Sequence, residues 1–233
     1  MRSKRGHPAK ENFERLQTKL WFFAVSDTSG MNANQLRQFF VERIGDGNDG
    51  DKEPSHSWYR YARGDQLPAG AAVGRSSLVR AVEEVFPGTA HWIRSPLWVM
   101  FRKQLTIEDA VILLKETEKD IGDLFDYGNN KINISIPSWN YLRGIMSFNV
   151  FGSMVLFNRI RGYEEHMTPL RIQHCRRWLH DGYHYFPSIR KNRDELVAVL
   201  GQQLPELGDL SYLGNEAPDK DSFSELLMRH FSL

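Results

Sequence analysis

The sequence predicts a mainly α-helical protein, with short helices in its first third and then a helical bundle carrying one short strand. Apolar residues recur three and four positions apart through most of the 233 residues, the period of a helix that buries one face. Glycine and proline fall between these stripes, where helices must stop. Only Ile132, Ile134 and Ile136 alternate with polar residues at period two, the pattern of a half-buried strand. The expected division is a basic flexible arm over 1–10, a module of short helices over 11–95 and the bundle over 96–233, with the boundary near Ser95-Pro96.

In the first third, Phe13, Leu16, Leu20, Phe23 and Ala24 form one stripe, ended by Ser26-Asp27-Thr28-Ser29-Gly30. Leu36, Phe39, Phe40 and Ile44 form a second, with Asn32 or Asn34 as its cap. A glycine and aspartate loop, Gly45 to Asp51, carries no core residue. An aromatic helix from Ser55 to Ala62 comes next; Gly64 stops it and Pro68 forbids its continuation. Leu78, Val82, Val85 and Phe86 make the next helix, ended by Pro87-Gly88.

In the bundle, Thr106 and Asp109 open a helix with the apolar face Ile107, Val111, Leu114, Ile121 and Leu124, broken by Asn129-Asn130. After the strand, Pro137-Ser138 starts one long helix, apolar almost all round from Leu142 to Phe157. Three more helices are opened by Thr168-Pro169, by Ser188 and by Ser222 with Glu225.

Composition narrows the function classes. A chain with 41% hydrophobic and 25% charged residues has core material for a globular fold. The lone Cys175 makes neither an intrachain disulfide nor a multi-cysteine zinc site, which points to a reducing, cytoplasmic setting. The longest uncharged stretch, between Arg143 and Arg159, is too short and too polar to span a bilayer. Net charge is +1; residues 1–95 carry 14 Lys and Arg against 11 Asp and Glu, the remainder 16 against 18. Charge alone does not mark a nucleic-acid binder.

The order of the first elements, with Arg60-Tyr61-x-Arg63-Gly64-x-x-x-Pro68 at its centre, resembles the lambda-repressor-like (Xre) helix-turn-helix family over about residues 11–88. The resemblance implies a helix-turn-helix-like module in which Ser55–Arg63 is the recognition helix and Arg63–Pro68 the turn after it. Trp58 and Tyr61 would then face the module's core. Ser55, His56, Ser57, Tyr59 and Arg60 would face double-stranded DNA, with arginine able to donate two bonds to guanine. The arm bearing Arg2, Lys4 and Arg5 could follow a minor groove.

Other constellations have weaker chemistry. Arg171, Arg176, Arg177, Arg190, Lys191 and Arg193 are interleaved with Trp178, Tyr183, Tyr185 and Phe186, a mixture that suits an anionic partner or an ordinary charged helix face. His180 and His184 have metal-ligand spacing, but Gly182 between them is expected to break the helix that spacing needs, so no metal site is expected. Cys175 lies beside His174, although adjacent helical residues face different ways. No phosphate loop or nucleophile elbow occurs, so neither an enzyme nor a cofactor is expected. The strand has no expected partner strand nearby and would pair with a distant segment or a second copy, which suggests a homodimer. The expectation is therefore a cytoplasmic DNA-binding regulatory protein. The alternative is a non-enzymatic protein- or lipid-binding sensor, for instance in bacterial phage defence, with the helix-turn-helix as a scaffold.

Overall fold

The computed structural model describes residues 11–44, 57–68, 78–117, 122–128, 131–161 and 169–214. The basic arm, the aspartate loop, Ser55, His56 and the helix expected at Ser222 lie outside these.

Helix α1 (Asn12–Ser29) ends at Gly30, whose φ of 70° is the left-handed conformation that closes helices. It is buried on more than one side, with Leu16, Leu20, Trp21 and Val25 all fully covered. Helix α2 (Ala33–Ile44) starts from Asn32: the Asn32 side chain accepts from the Asn34 and Gln35 amides, and the Gln35 side chain accepts from the Asn32 amide at 2.9 Å. This reciprocal cap satisfies donors that the first turn would leave open. Helix α3 (Ser57–Arg63) is the short aromatic helix, and α4 (Leu78–Val85) buries Val79 and Val82. The Glu83 carboxylate then accepts from the Gly88 and Ala90 amides and the Thr89 hydroxyl, turning the chain into α5 (His91–Arg94).

The expected boundary at Ser95-Pro96 falls inside the core. Ser95 is fully buried; it caps α6 (Pro96–Arg102) through the Leu97 amide and donates to the Phe148 carbonyl at 3.2 Å. A Cβ at Gly152 would run into the Ser95 hydroxyl, so the two segments cross as closely as backbones allow. Buried residues from both sides of this point form one hydrophobic cluster. Helix α1 packs against α3 on one side and against helices near the chain's end on another.

Helix α7 (Ile107–Glu116) has the expected Thr106–Asp109 capping box, but it stops at Glu116 rather than running on past Leu124. Strand β1 (Phe125–Gly128) follows and pairs antiparallel with β2 (Lys131–Ile134), with Phe125 opposite Ile134 and Tyr127 opposite Ile132. The expectation of one short strand without a nearby partner is thus corrected: the described sheet has two strands, and the partner lies two residues upstream. The strand also stops at Ile134, because Ser135 caps α8 (Ile136–Gly144) and leaves Ile136 78% exposed. The single apolar helix expected next is two helices, α8 and the central α9 (Phe148–Arg161), parted by Ile145–Ser147.

Helix α10 (Pro169–Tyr185) opens on its proline. The helix expected from Ser188 is also two, α11 (Pro187–Lys191) and α12 (Arg193–Gln203), because Asn192 turns its side chain back to the Ser188 carbonyl. A 3-10 turn, Pro205–Leu207, leads to residue 214. No helix among the described residues is long and apolar enough to cross a membrane.

Candidate nucleic-acid interface

The inner face of α3 is fixed by stacked rings. Trp58 lies parallel to Trp21 of α1 (5.8 Å, 15°) and to Phe40 of α2 (5.5 Å, 21°), while Tyr61 meets Trp21 edge-on at 5.6 Å. Trp58 and Tyr61 are 2% and 4% exposed, so the pair that the resemblance turned inward is the pair that packs. Burial pushes the Tyr61 phenol pKa above its usual value, partly offset by a hydrogen bond from Ser57 and by the nearby Arg60 charge. Such ring pairs add about 0.5–1.5 kcal/mol each beyond the area they bury. A two-turn helix has marginal stability on its own, and this one is held by its neighbours.

Gly64 explains the closeness of the fit. Its φ is 75°, and a Cβ built there would sit 2.6 Å from the Arg15 carbonyl oxygen of α1. The end of α3 is therefore seated against the first turns of α1. Asp65 lies just beyond and accepts from Arg63 Nε at 2.7 Å; Arg63, then the charges of Arg15 and Arg60, hold its carboxyl below the ordinary range. The charges of three arginines from two helices thus act on one carboxylate.

The outer face of α3 is open. Tyr59 is 44% exposed, and Arg60 and Arg63 are exposed beside it. Among the described residues no carboxylate forms an ion pair with Arg60. Ser57 is half-buried, with its hydroxyl turned to Tyr61. Arg15 was not singled out from the sequence; the close approach of a helix backbone to Gly64 is what brings it to this surface, and residue spacing carries no trace of that.

The six cations expected as an anionic-partner patch make separate internal contacts. Arg176 donates to the carbonyls of Leu207 and Asp209 and lies over the Tyr212 ring. Arg193 donates to the Leu213 and Ser211 carbonyls. Lys191 reaches Asp27 of α1 at 2.6 Å, Arg190 reaches the His184 carbonyl, Arg177 lies 3.7 Å from Asp181, and Arg171 lies over the Trp139 and Phe157 rings. Arg176 and Arg193 thereby hold residues 207–213 against α10 and α12.

Gly182 does not break α10, which corrects the expectation for the two histidines. The missing Cβ there lets Trp178 and Ile189 approach to 3.2 and 3.3 Å of where it would stand. His180 and His184 consequently lie ring to ring at 4.9 Å, with Asp181 3.2 Å from His180 Nδ1. Among the described residues no group of three or more such side chains is arranged to hold a metal. Cys175 is buried, its thiol pushed up to about 12 by burial and contacted by the Asn158 amide at 3.4 Å. His174 accepts from Trp139 Nε1 at 2.8 Å, on other business than the thiol. A thiol so held is a poor nucleophile.

Comparison with protein-family models, with curated proteins and with solved structures found no match.

Proposed function

We propose that this protein binds double-stranded DNA as a regulator, with α3 as the helix that enters the groove. The observation that supports this reading is the two-sidedness of α3: Trp58 and Tyr61 lock one side to α1 and α2, while Tyr59, Arg60 and Arg63 present an open, positively charged other side. A rigidly mounted helix with exposed arginine suits base recognition, since a guanidinium matches the paired acceptors of guanine. Arg15 extends the positive surface onto α1 and suits a phosphate contact. His56, Ser55 and the arm with Arg2, Lys4 and Arg5 complete the proposed contact set from the sequence.

The test is selection from a random duplex pool at low salt, followed by anisotropy titration of the enriched site. Arg60→Ala is expected to weaken binding by about 1–3 kcal/mol and to relax preference at one base pair. Arg15→Ala is expected to weaken binding equally for all sequences. No duplex binding at low salt would overturn the reading.

The anionic-surface alternative is disfavoured by the internal use of Arg176 and Arg193. A protein-binding role for the same α3 face remains the competing reading and would show as an intact protein with no duplex affinity.

A further inference from the structure

A cleft of about 690 Å³ lies between the end of α6, the turn into α7 and the second half of α9. Small-molecule sites commonly have volumes of about 300–1,000 Å³. The floor is apolar, formed by buried Phe101 and Leu156 and half-buried Leu105 and Ile160. The rim bears Arg102, Lys103 and Arg159, and none of the described residues lining the cleft is acidic.

Each rim cation is held from outside the cleft. Arg102 Nη2 donates to Gln17 at 2.6 Å and its Nε lies 3.4 Å from Glu14; Lys103 reaches Asp109 at 3.0 Å; Arg159 Nε donates to Glu206 at 3.2 Å and Nη2 to the Gln203 carbonyl. A guanidinium carries five donors and an ammonium three, so these tethers orient the heads and leave donors unspent. Gln17 is itself fully buried and donates to the Ile93 carbonyl, which makes the Arg102 mounting rigid. Oriented cations above an apolar floor favour a ligand with one negative end and one greasy end, since preorganised donors bind without an ordering cost.

We propose that this cleft binds a small amphipathic anion, a carboxylate or phosphate headgroup on an apolar body, with the headgroup on Arg102, Lys103 and Arg159 and the body on Leu105, Leu156 and Ile160. The site is separate from the α3 surface and stands or falls independently of DNA binding.

The full chain is titrated calorimetrically with decanoate and with 2-naphthylacetate, which separate a straight-chain from a ring-bearing body. Decanol controls for the apolar body alone, inorganic phosphate for the headgroup alone. At least one of the two anions is expected to bind saturably with a Kd below about 1 mM, at least about tenfold tighter than decanol or phosphate. Lys103→Met should weaken it about three- to tenfold, and Leu105→Trp, which fills the cleft, should abolish it. Ile160→Trp serves as the second filling variant should Leu105→Trp fail to fold. In methyl NMR, Leu156 and Ile160 should shift on addition of the anion. Saturable binding by neither anion, equal binding of decanol or phosphate, or affinity unchanged in a folded filling variant would overturn the proposal.

Discussion

Gly64→Ala is the sharpest probe of how the aromatic helix is mounted, because the structure supplies its own control. Both Gly30 and Gly64 have left-handed φ values, 70° and 75°, and both follow a helix. A side chain forced into that conformation costs about 1–2 kcal/mol. At Gly30 a Cβ would meet nothing within 4 Å, so Gly30→Ala is expected to cost that conformational energy alone, about 1 kcal/mol. At Gly64 the Cβ would lie 2.6 Å from the Arg15 carbonyl, 3.0 Å from its Cα and 3.1 Å from its carbonyl carbon, all of them backbone. Backbone cannot rotate away, so α3 must lift from α1 and the Trp21–Trp58 stack must open. Overpacking of this kind adds about 1–3 kcal/mol. Gly64→Ala should therefore cost about 2–4 kcal/mol, at least 1 kcal/mol more than its control. Urea unfolding followed by tryptophan fluorescence reads both midpoints. Equal losses for the two variants would refute the claim that α3 sits in backbone contact with α1.

Trp58→Ala should cost about 3–5 kcal/mol, because it removes the ring between Trp21 and Phe40; a loss under 1 kcal/mol would mean that α3 is not a core element. His91 gives a pH prediction. Burial, opposed by the Glu83 charge, lowers its pKa to about 4 from 6.5, and its Nε2 has no hydrogen-bond partner among the described residues. The unfolded state then takes up the proton first. Its contribution is complete above pH 6.5 and is lost as pH falls toward 4, reaching about 2–3 kcal/mol. His91→Gln should flatten the stability profile between pH 6.5 and 4.5, above the window where Asp65, Asp109 and Asp209 lose their lowered-pKa contributions; an unchanged slope would sink the assignment.

The elements that were legible share one property: their signal is local. The Thr106–Asp109 box, an asparagine cap at Asn32 or Asn34 and Gly64 as a stop depend on residues within a few positions of one another. The misread elements depend on distant partners. Phe125-Asp126-Tyr127-Gly128 has only two apolar positions, so its period was indistinguishable from the tail of α7 until β2 paired with it. Gly182 reads as a helix breaker in isolation, yet in the fold it is the gap into which Trp178 and Ile189 pack. Ser95 looks like a linker residue, but its hydroxyl bonds a carbonyl 53 positions away. The proposed site divides in the same way: Tyr59 and Arg60 were reached through the resemblance of one contiguous segment, whereas Arg15 joins them only through tertiary contact.

Net charge says little about the proposed α3 surface for a related reason, and the salt dependence of duplex binding tests that surface. A count of +1 treats every arginine alike. The fold does not: Arg176 and Arg193 are spent on carbonyls inside the protein, while Arg63 pairs with Asp65 and the charges of Arg15 and Arg60 act on the same carboxylate. Among the described residues the balance at α3 is therefore positive, although the chain is nearly neutral. Each phosphate contact contributes a slope of about −0.9 to log K against log salt. Three arginines on the helices give about −3 at most, and Arg2, Lys4, Arg5 and Lys10 of the arm, if all reach the backbone, bring the full chain to about −6. On the proposed reading, removing residues 1–10 should roughly halve the slope and leave intact the base preference assigned to Arg60. A truncated protein with the full slope would place the phosphate contacts elsewhere on the molecule; one that kept its affinity but lost its preference would assign recognition to the arm and leave α3 as a support.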